Sequence, residues 1–517
     1  MALGLTLGAV CLHLRWLFFA SPLWRDEVAT VHFAAMQNGA DIWRNLAYDN
    51  FPPLFLVPLR LWINLIGCSD VSLRCFGFSI GCLFLVSAWV AAVRCGVRVP
   101  IVTLILVGLN PLAIRTIDAI RPYGLGISLM LLTTTWVWLL LCTDRRETAF
   151  IAAGLAVLAV QTLYQNTAFL GAVICAGICV AIQRRSFLAA RRLTAVGAVA
   201  GLSLLVHLPH LRTGQEAGIV VQSPTSSLFH LLVVARAALG NSNLLCFITV
   251  AAPAAIVLFG LREKGSSGGL SSHSLFAAAS AFVGALFYFG FLLQTGLATQ
   301  PWYYILPIAL VALCADLGLG SSASPTARIA LVVVAGIVVI PSVRGNLLIR
   351  QTNVDRVAKN LTTAAHPEDL IVIVPWYCGI TWNHYYSGRT KWLTIPPLAD
   401  VEIHRYDLLK KAMSMDQIDV LAPLQTAVSD TLRSGCRVWV VGRLLTAPDP
   451  RNPPILPPAP YSTARWSSRT YETVWAMRVA STLQTHAVRF VTQTEDETGP
   501  ISPLEDLPVV VFSGWRE

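Results

Sequence analysis

The chain has 517 residues, of which 55% are hydrophobic and 13% charged, against about 45–50% and about 25% for an ordinary soluble chain. That composition excludes a disordered chain, a collagen and a disulfide-framed secreted module, and so much apolar surface cannot all be packed inside one soluble globule. The formal charge of +10 does not call for nucleic acid, because the arginines lie in short loops between apolar runs and form no dense basic patch.

In chain order, eleven apolar runs read as membrane spans: 2–20, 71–93, 99–115, 123–142, 148–164, 167–182, 193–210, 244–261, 274–296, 303–319 and 327–343. A span takes about 20 mostly apolar residues, and about 17 suffice. The first run differs from a signal peptide: it lacks a basic n-region, and His13 and Arg15 interrupt its apolar stretch. Arg94 and Arg98, Arg145 and Arg146, Arg184 to Arg192, Arg262 with Lys264, and Arg328 all fall on one side. The positive-inside rule makes that side the cytoplasm, with the amino terminus there too. Residues 21–70, the 116–122 turn, 211–243, the 297–302 turn and everything after 344 fall on the other side. The expected organisation is therefore a multi-span domain over 1–344, with outer loops 21–70 and 211–243, and a soluble extracytoplasmic domain over 345–517.

The tail has a different texture. Leu370 to Val374, Val438 to Val441 and Val509 to Phe512 are short apolar runs that predict buried strands, and Tyr406 to Met415 predicts a helix. The proline-rich stretch 446–460 predicts a stiff loop. The expected fold class is thus an α-helical polytopic membrane protein with a small carboxy-terminal α/β domain. Ten of the 12 cysteines precede position 320, and no pair stands at C-x-x-C spacing, so each reads as a small buried apolar residue. No Walker loop, H-E-x-x-H or EF-hand pattern is present. The residues call for no cofactor and define no metal site; a divalent cation stays open.

Charges are scarce in this chain, so each one on the outer side is informative. Asp26 and Glu27 follow the first span directly, and two adjacent carboxylates there suit a general base and its partner. The plainer alternative is a helix start, with Asp26 capping 27–37. Asp118 stands three residues before Arg121, which suits either a reactive pair or a salt-bridged helix end. Asp49 opens a break, Asp49 to Leu54, in the first outer loop. Arg212 and Arg236 are candidate phosphate contacts in loop 211–243, since the planar guanidinium matches phosphate oxygens, or else solvated loop charges. His207 and His210 read as packing or interfacial groups rather than metal ligands. His384, beside Tyr385 and Tyr386, reads as a satisfied histidine of the α/β domain.

Four segments together resemble a family. Leu23-Trp24-Arg25-Asp26-Glu27 is similar to the "LW-x-DE" motif in the first outer loop of multi-span glycosyltransferases of the GT-C class. Phe51-Pro52-Pro53-Leu54-Phe55 resembles their "HPPLY" segment, and Ile117 to Leu125 resembles "QE-x-RPYAL". Pro301-Trp302-Tyr303-Tyr304-Ile305-Leu306-Pro307 resembles "RYLLP" of a late span. The nearest subgroup is the protein-mannosyltransferase-like, Rgt-type transferases, which include enzymes that add galacturonic acid to lipopolysaccharide. The match in order and spacing covers roughly residues 20–310.

The resemblance implies a polyprenyl-phosphate-linked sugar as donor and an active site facing away from the cytoplasm, in a bacterial inner membrane. Asp26 matches the catalytic aspartate, with Glu27 beside it and Asp118 one position from a second acid. Arg121, Arg212 and Arg236 would serve the donor phosphate; Tyr123, Asp49, Trp302 and Tyr303 would line the substrate. Two departures remove positive charge: Phe51 stands where the family has a basic residue, and Tyr303 or its neighbour where it has an arginine. The expected partners are the lipid-linked sugar, the bilayer and a glycan, glycolipid or protein hydroxyl acceptor. Transfer to protein Ser or Thr is the alternative within enzymes. A flippase of lipid-linked sugars is the non-enzymatic one, disfavoured because most span interiors carry no charge.

Overall fold

A computed structural model describes residues 2–20, 22–49, 51–97, 99–218, 228–262, 271–295, 299–319, 347–415, 417–456, 458–460, 466–493 and 499–517. The chain divides into two compact units. The first comprises Met1–Phe19, Phe51–Pro209 and Pro224–Leu348; the second comprises Ala20–Asn50, His210–Ser223 and Ile349–Glu517.

The first unit is a helical assembly. Among the described residues seven helices are long and apolar enough to cross a membrane, including Ala2–Phe19, Asp70–Arg94, Tyr123–Thr143, Asn166–Gln183 and Ser272–Gln294. The chain is a multi-pass membrane protein. The helix ends follow local chemistry. The Ser69 hydroxyl accepts from the Ser72 N–H and starts Asp70–Arg94. Asp144, in the left-handed conformation, stops Tyr123–Thr143.

Two expected spans look different in the structure, and a third is short. The run 99–115 is not one helix: it has a wide turn at Leu104–Gly108 and restarts as Pro111–Ile117. The Asn110 side chain caps that restart by accepting from Leu112 N at 3.0 Å, and Pro111 brings no N–H to continue a ladder. The run 148–164 is a single helix, Arg146–Thr162, of 17 residues, at the lower limit for a crossing. The run 244–261 is preceded by a second apolar helix, and the two meet at 109°. Gly240 and Asn241, both at positive φ, make that bend. The eleventh expected span, 327–343, lies outside the described residues.

Glycine sets the closest packing of this unit. A Cβ on Gly77 would overlap the Asp118 carbonyl, and one on Gly124 would overlap that of Ile117. The 117–118 turn is therefore wedged between two long helices. Asp316 is the acid buried within the late apolar helix, and it is fully used as a cap. Its carboxylate accepts from Val102 N at 2.8 Å, Thr103 N at 2.9 Å and Thr103 Oγ1 at 2.8 Å.

The second unit is built on a five-stranded sheet: β1 (Leu370–Ile373), β2 (Lys391–Thr394), β3 (Val438–Val441), β4 (Ala487–Gln493) and β5 (Val509–Trp515), in the order β2-β1-β3-β5-β4. Strand β1 runs parallel to β2 and β3, pairing Leu370 with Lys391 and with Val438; β5 is antiparallel to β3 and β4. Alternation sends Leu370, Val372, Val438 and Val440 to one face, against Leu424, Val428, Trp475 and Val479. Ile371, Ile373, Trp439 and Val441 face the other way, against Val354, Val357, Leu361 and Trp382. Both faces of β1 and β3 are covered, which explains their unbroken apolar sequence. The expected helix is Tyr406–Ser414.

The two units cut across one expected boundary, and the expectation for the cysteines needs correcting. A boundary at 344/345 assigned loops 21–70 and 211–243 to the multi-span part, whereas Ala20–Asn50 and His210–Ser223 cluster with the tail. Specific polar contacts tie them there. The Leu23 N–H donates to the Tyr385 hydroxyl at 2.8 Å, and Lys410 Nζ donates to the Glu216 carbonyl at 2.9 Å. The cysteines are also not uniformly buried. Cys95, Cys314 and Cys378 are, whereas Cys11, Cys68, Cys142, Cys175 and Cys179 are exposed on the protein surface. In a spanning helix an outward cysteine faces hydrocarbon, so apolar character alone does not imply an inward position.

Candidate active site

Asp26 sits in the first turn of the helix Arg25–Ala35 of the second unit. The turn is fixed by its own sequence. Trp24 is the extended N-cap, its carbonyl accepts from Glu27 N and Val28 N at 2.9 Å each, and Glu27 Oε2 reaches back to Trp24 N at 3.3 Å. This is the reciprocal capping expected of an acid at the third helical position. Glu27 is completely buried. The capping role considered for Asp26 is thus met by Glu27. Val28, Val31 and Phe33 bury the inner face of the same helix.

Asp26 itself is half-buried, 22% exposed, in a charged setting. Its Oδ1 lies 3.2 Å from Arg25 Nε and 3.3 Å from His404 Nε2. The Arg25 guanidinium is stacked over the Tyr377 ring at 4.3 Å and near that of Trp24 at 5.5 Å. Burial alone would favour loss of its proton, but Asp26 foremost among its neighbours drives its pKa above the usual range, so it is a fixed cation. Behind it, Glu505 accepts from Arg25 N at 3.4 Å and from Thr381 Oγ1 at 2.7 Å. Burial pushes the Glu505 carboxyl up to about 7, against those hydrogen bonds. On the far end of the Asp26 helix, His32 Nδ1 donates to the Glu402 carbonyl at 2.8 Å. His32 Nε2 and His384 Nδ1 share a hydrogen bond of 3.2 Å. Burial, then His32, lowers His384 to about 4, so it stays neutral. His384 is the satisfied histidine expected of it.

Asp49 closes the short turn Leu46–Tyr48 and is half-buried. Arg212 is exposed on the helix Leu208–Gly218 of this unit.

The remaining candidates belong to the first unit. Asp118 is buried, and both its oxygens lie on His13 Nδ1, at 2.8 and 2.9 Å. Its partner is thus the histidine that interrupts the first span; a turn-spaced pair with Arg121 was the expectation. Arg121 is buried with its guanidinium 4.5 Å over the Phe51 ring. Tyr123 meets Phe51 edge-on at 5.4 Å and lies 6.2 Å from Tyr303, which in turn contacts Trp302. Arg236 is exposed and donates to the Asn241 carbonyl at 3.3 Å. His207 Nε2 donates to Gln161 Oε1 at 2.7 Å.

Two features escaped the sequence. His404 sits far along the chain with no motif around it. Arg115 lines a cavity of about 190 Å³ with Asn110, Asn241 and Trp302, its guanidinium 5.3 Å over Trp16. The Asn110-Pro111 cap was the local signal that Arg115 belongs to a short, separate helix.

No family model matches the chain, and no curated protein matches it. Solved structures do. It is similar to ArnT from Cupriavidus metallidurans in the apo state, at 14% identity over 84% of this chain and 91% of that one, with a TM-score of 0.50. The same protein bound to undecaprenyl phosphate gives 13% identity, 85% and 92% coverage, and a TM-score of 0.51. The Archaeoglobus fulgidus oligosaccharyltransferase, in complex with zinc and sulfate, gives 9% identity, 96% and 72% coverage, and a TM-score of 0.50. The likeness is one of fold: the chain has the GT-C architecture that its motifs resemble.

Proposed function

We propose that the chain is an inverting glycosyltransferase that moves a sugar from a polyprenyl-phosphate donor to a hydroxyl of an envelope glycolipid or polysaccharide. The reaction takes place on the extracytoplasmic face. The observation that carries this reading is Asp26: a partly accessible carboxylate, held between Arg25 and His404, on a helix that starts just after the first span. The ArnT structure with undecaprenyl phosphate supports the donor class.

In this reading the acceptor O–H proton passes to Asp26 as the oxygen attacks the anomeric carbon. The bond from that carbon to the phosphate oxygen breaks, and the electron pair leaves with the polyprenyl phosphate, so the anomeric centre inverts. A phosphate is a good leaving group, so one base and electrostatic stabilisation suffice. Arg121 and Arg115 are the first unit's candidates for the lipid phosphate; Arg212 and Arg236, being exposed, are the weaker ones. Asp118 is assigned to structure, as the partner of His13. Zinc accompanies the oligosaccharyltransferase; among the described residues of this chain no three His, Cys, Asp or Glu side chains gather to hold a metal.

The test is release of polyprenyl phosphate from synthetic polyprenyl-phosphate pentoses and hexoses by the purified full-length chain. Asp26→Asn should lower turnover by about 10²–10⁴-fold at unchanged accumulation. Asp26→Glu should rescue poorly, because the added methylene displaces the carboxylate. Near-normal turnover by Asp26→Asn, or a wild-type chain inert on the whole panel, would refute the reading. Mass spectrometry of envelope glycolipids and glycoproteins from a strain lacking the chain then separates glycolipid from protein acceptors.

A further inference from the structure

His404 stands just before the helix Tyr406–Ser414 and contacts Asp26 from the other end of the sequence. Its side chain is only 14% exposed, and its ring is stacked on Tyr406, 5.7 Å between centroids with the planes 7° apart. The ring is therefore held in one orientation. Its Nε2 faces Asp26 Oδ1 at 3.3 Å, and a carboxylate oxygen only accepts, so the ring proton sits on Nε2. Nδ1 is buried and has no hydrogen-bond partner among the described residues. The ring thus holds its Nε2 edge against Asp26, whose Oδ1 also meets the Arg25 guanidinium.

Resting on the assignment of Asp26 as base, we infer that His404 is its positioning residue: a ring locked against Tyr406 whose Nε2 edge orients the carboxylate. Two contacts on one carboxylate oxygen, from Arg25 and from His404, leave it fewer orientations than either contact alone. The sugar-transfer site would then depend on a residue of the carboxy-terminal segment, which a chain ending before 404 lacks.

The experiment compares His404→Phe, which keeps an aromatic ring against Tyr406, with His404→Gln, whose side-chain amide can place an N–H near the position of Nε2. The donor probes are the same synthetic polyprenyl-phosphate sugars. His404→Phe should lower kcat by ~10–100-fold, the scale of a small misplacement of a reacting group, with little change in donor KM. His404→Gln should recover most of that loss, and thermal unfolding should show both variants folded. With Asp26→Asn already in place, His404→Phe should add little further loss, because the two residues act as a unit. Four results would overturn the inference: normal kcat in His404→Phe, a Gln variant no better than the Phe variant, a loss confined to KM, or independent losses in the double variant. If Asp26→Asn is inactive while His404→Phe is normal, only the inference falls. If Asp26→Asn is active, the base assignment falls and takes the inference with it.

Discussion

Glu505 gives the second unit a pH dependence that can be read at one thiol. Its carboxyl is pushed from 4.5 up to about 7 by burial, a difference of about 2.5 units, or about 3 kcal/mol at about 1.4 kcal/mol per unit. Below pH 4.5 the folded and opened forms both hold the proton, and Glu505 contributes no penalty. As pH rises from 4.5 to 7 the opened form ionises first, so stability falls; above 7 the full penalty is present. Thr381, which donates to Glu505, lies on the helix Cys378–Tyr385, and Cys378 is fully buried at its start. An opening that solvates Glu505 therefore also frees the Cys378 thiol. The assay is alkylation of Cys378 in the full-length chain, followed by mass spectrometry and divided by the rate of an unfolded peptide at each pH. The corrected rate should rise roughly 10²-fold between pH 4.5 and 7.5. Glu505→Gln, which keeps an acceptor for Thr381, should flatten the profile. A flat profile in the wild type, or an equal slope in the Gln variant, would refute the reasoning.

Asp118→Ala should leave the buried His13 Nδ1 without its partner at a cost of about 1–3 kcal/mol, seen as poor accumulation or a lowered Tm; turnover per folded molecule should be unchanged, and a loss of turnover in a stable variant would return Asp118 to the chemistry. A reporter that is active only beyond the cytoplasm, fused after Glu517, should be active, as the arginine distribution of the loops requires; activity of a cytoplasm-only reporter there would reverse the sidedness.

Apolar periodicity and length made most of the fold legible, since a long apolar run has few alternatives to a span and an all-apolar tetrapeptide few to a buried strand. What failed was local. Asn110 and Pro111 cut an apolar run that hydropathy alone reads as continuous, because hydropathy does not register a cap or a missing N–H. Strand β2 (Lys391–Thr394) and strand β4, exposed along most of its length, lack the apolar signature because they lie at the sheet edges. At the candidate site, Asp26 was legible from its place beside a span. His404 was not, because contact between positions 26 and 404 is a property of the fold and leaves no trace in local spacing. Glu27 shows the converse: its motif position suggested chemistry, and the geometry gives it a cap.

The two aromatic departures from the family pattern converge on one cation. Phe51 stands where the family carries a basic residue, and in the structure its ring lies beneath the Arg121 guanidinium at 4.5 Å. Tyr303 stands at or beside the position of a family arginine, and reaches the same cluster through Tyr123. Arg121 is buried, so its charge needs compensation that exposed arginines draw from water. Ring faces supply part of it, about 2 kcal/mol for a desolvated pair. A second cation at 51 would withdraw that term and add repulsion at close range. Phe51→Arg, although it restores the family pattern, should therefore lower Tm and accumulation of the full-length chain, with no gain in donor KM. Phe51→Tyr, which keeps the ring, should be nearly neutral. An Arg variant as stable as the wild type, or one with a tighter donor KM, would show that position 51 faces the phosphate and that Arg121 does not need its ring.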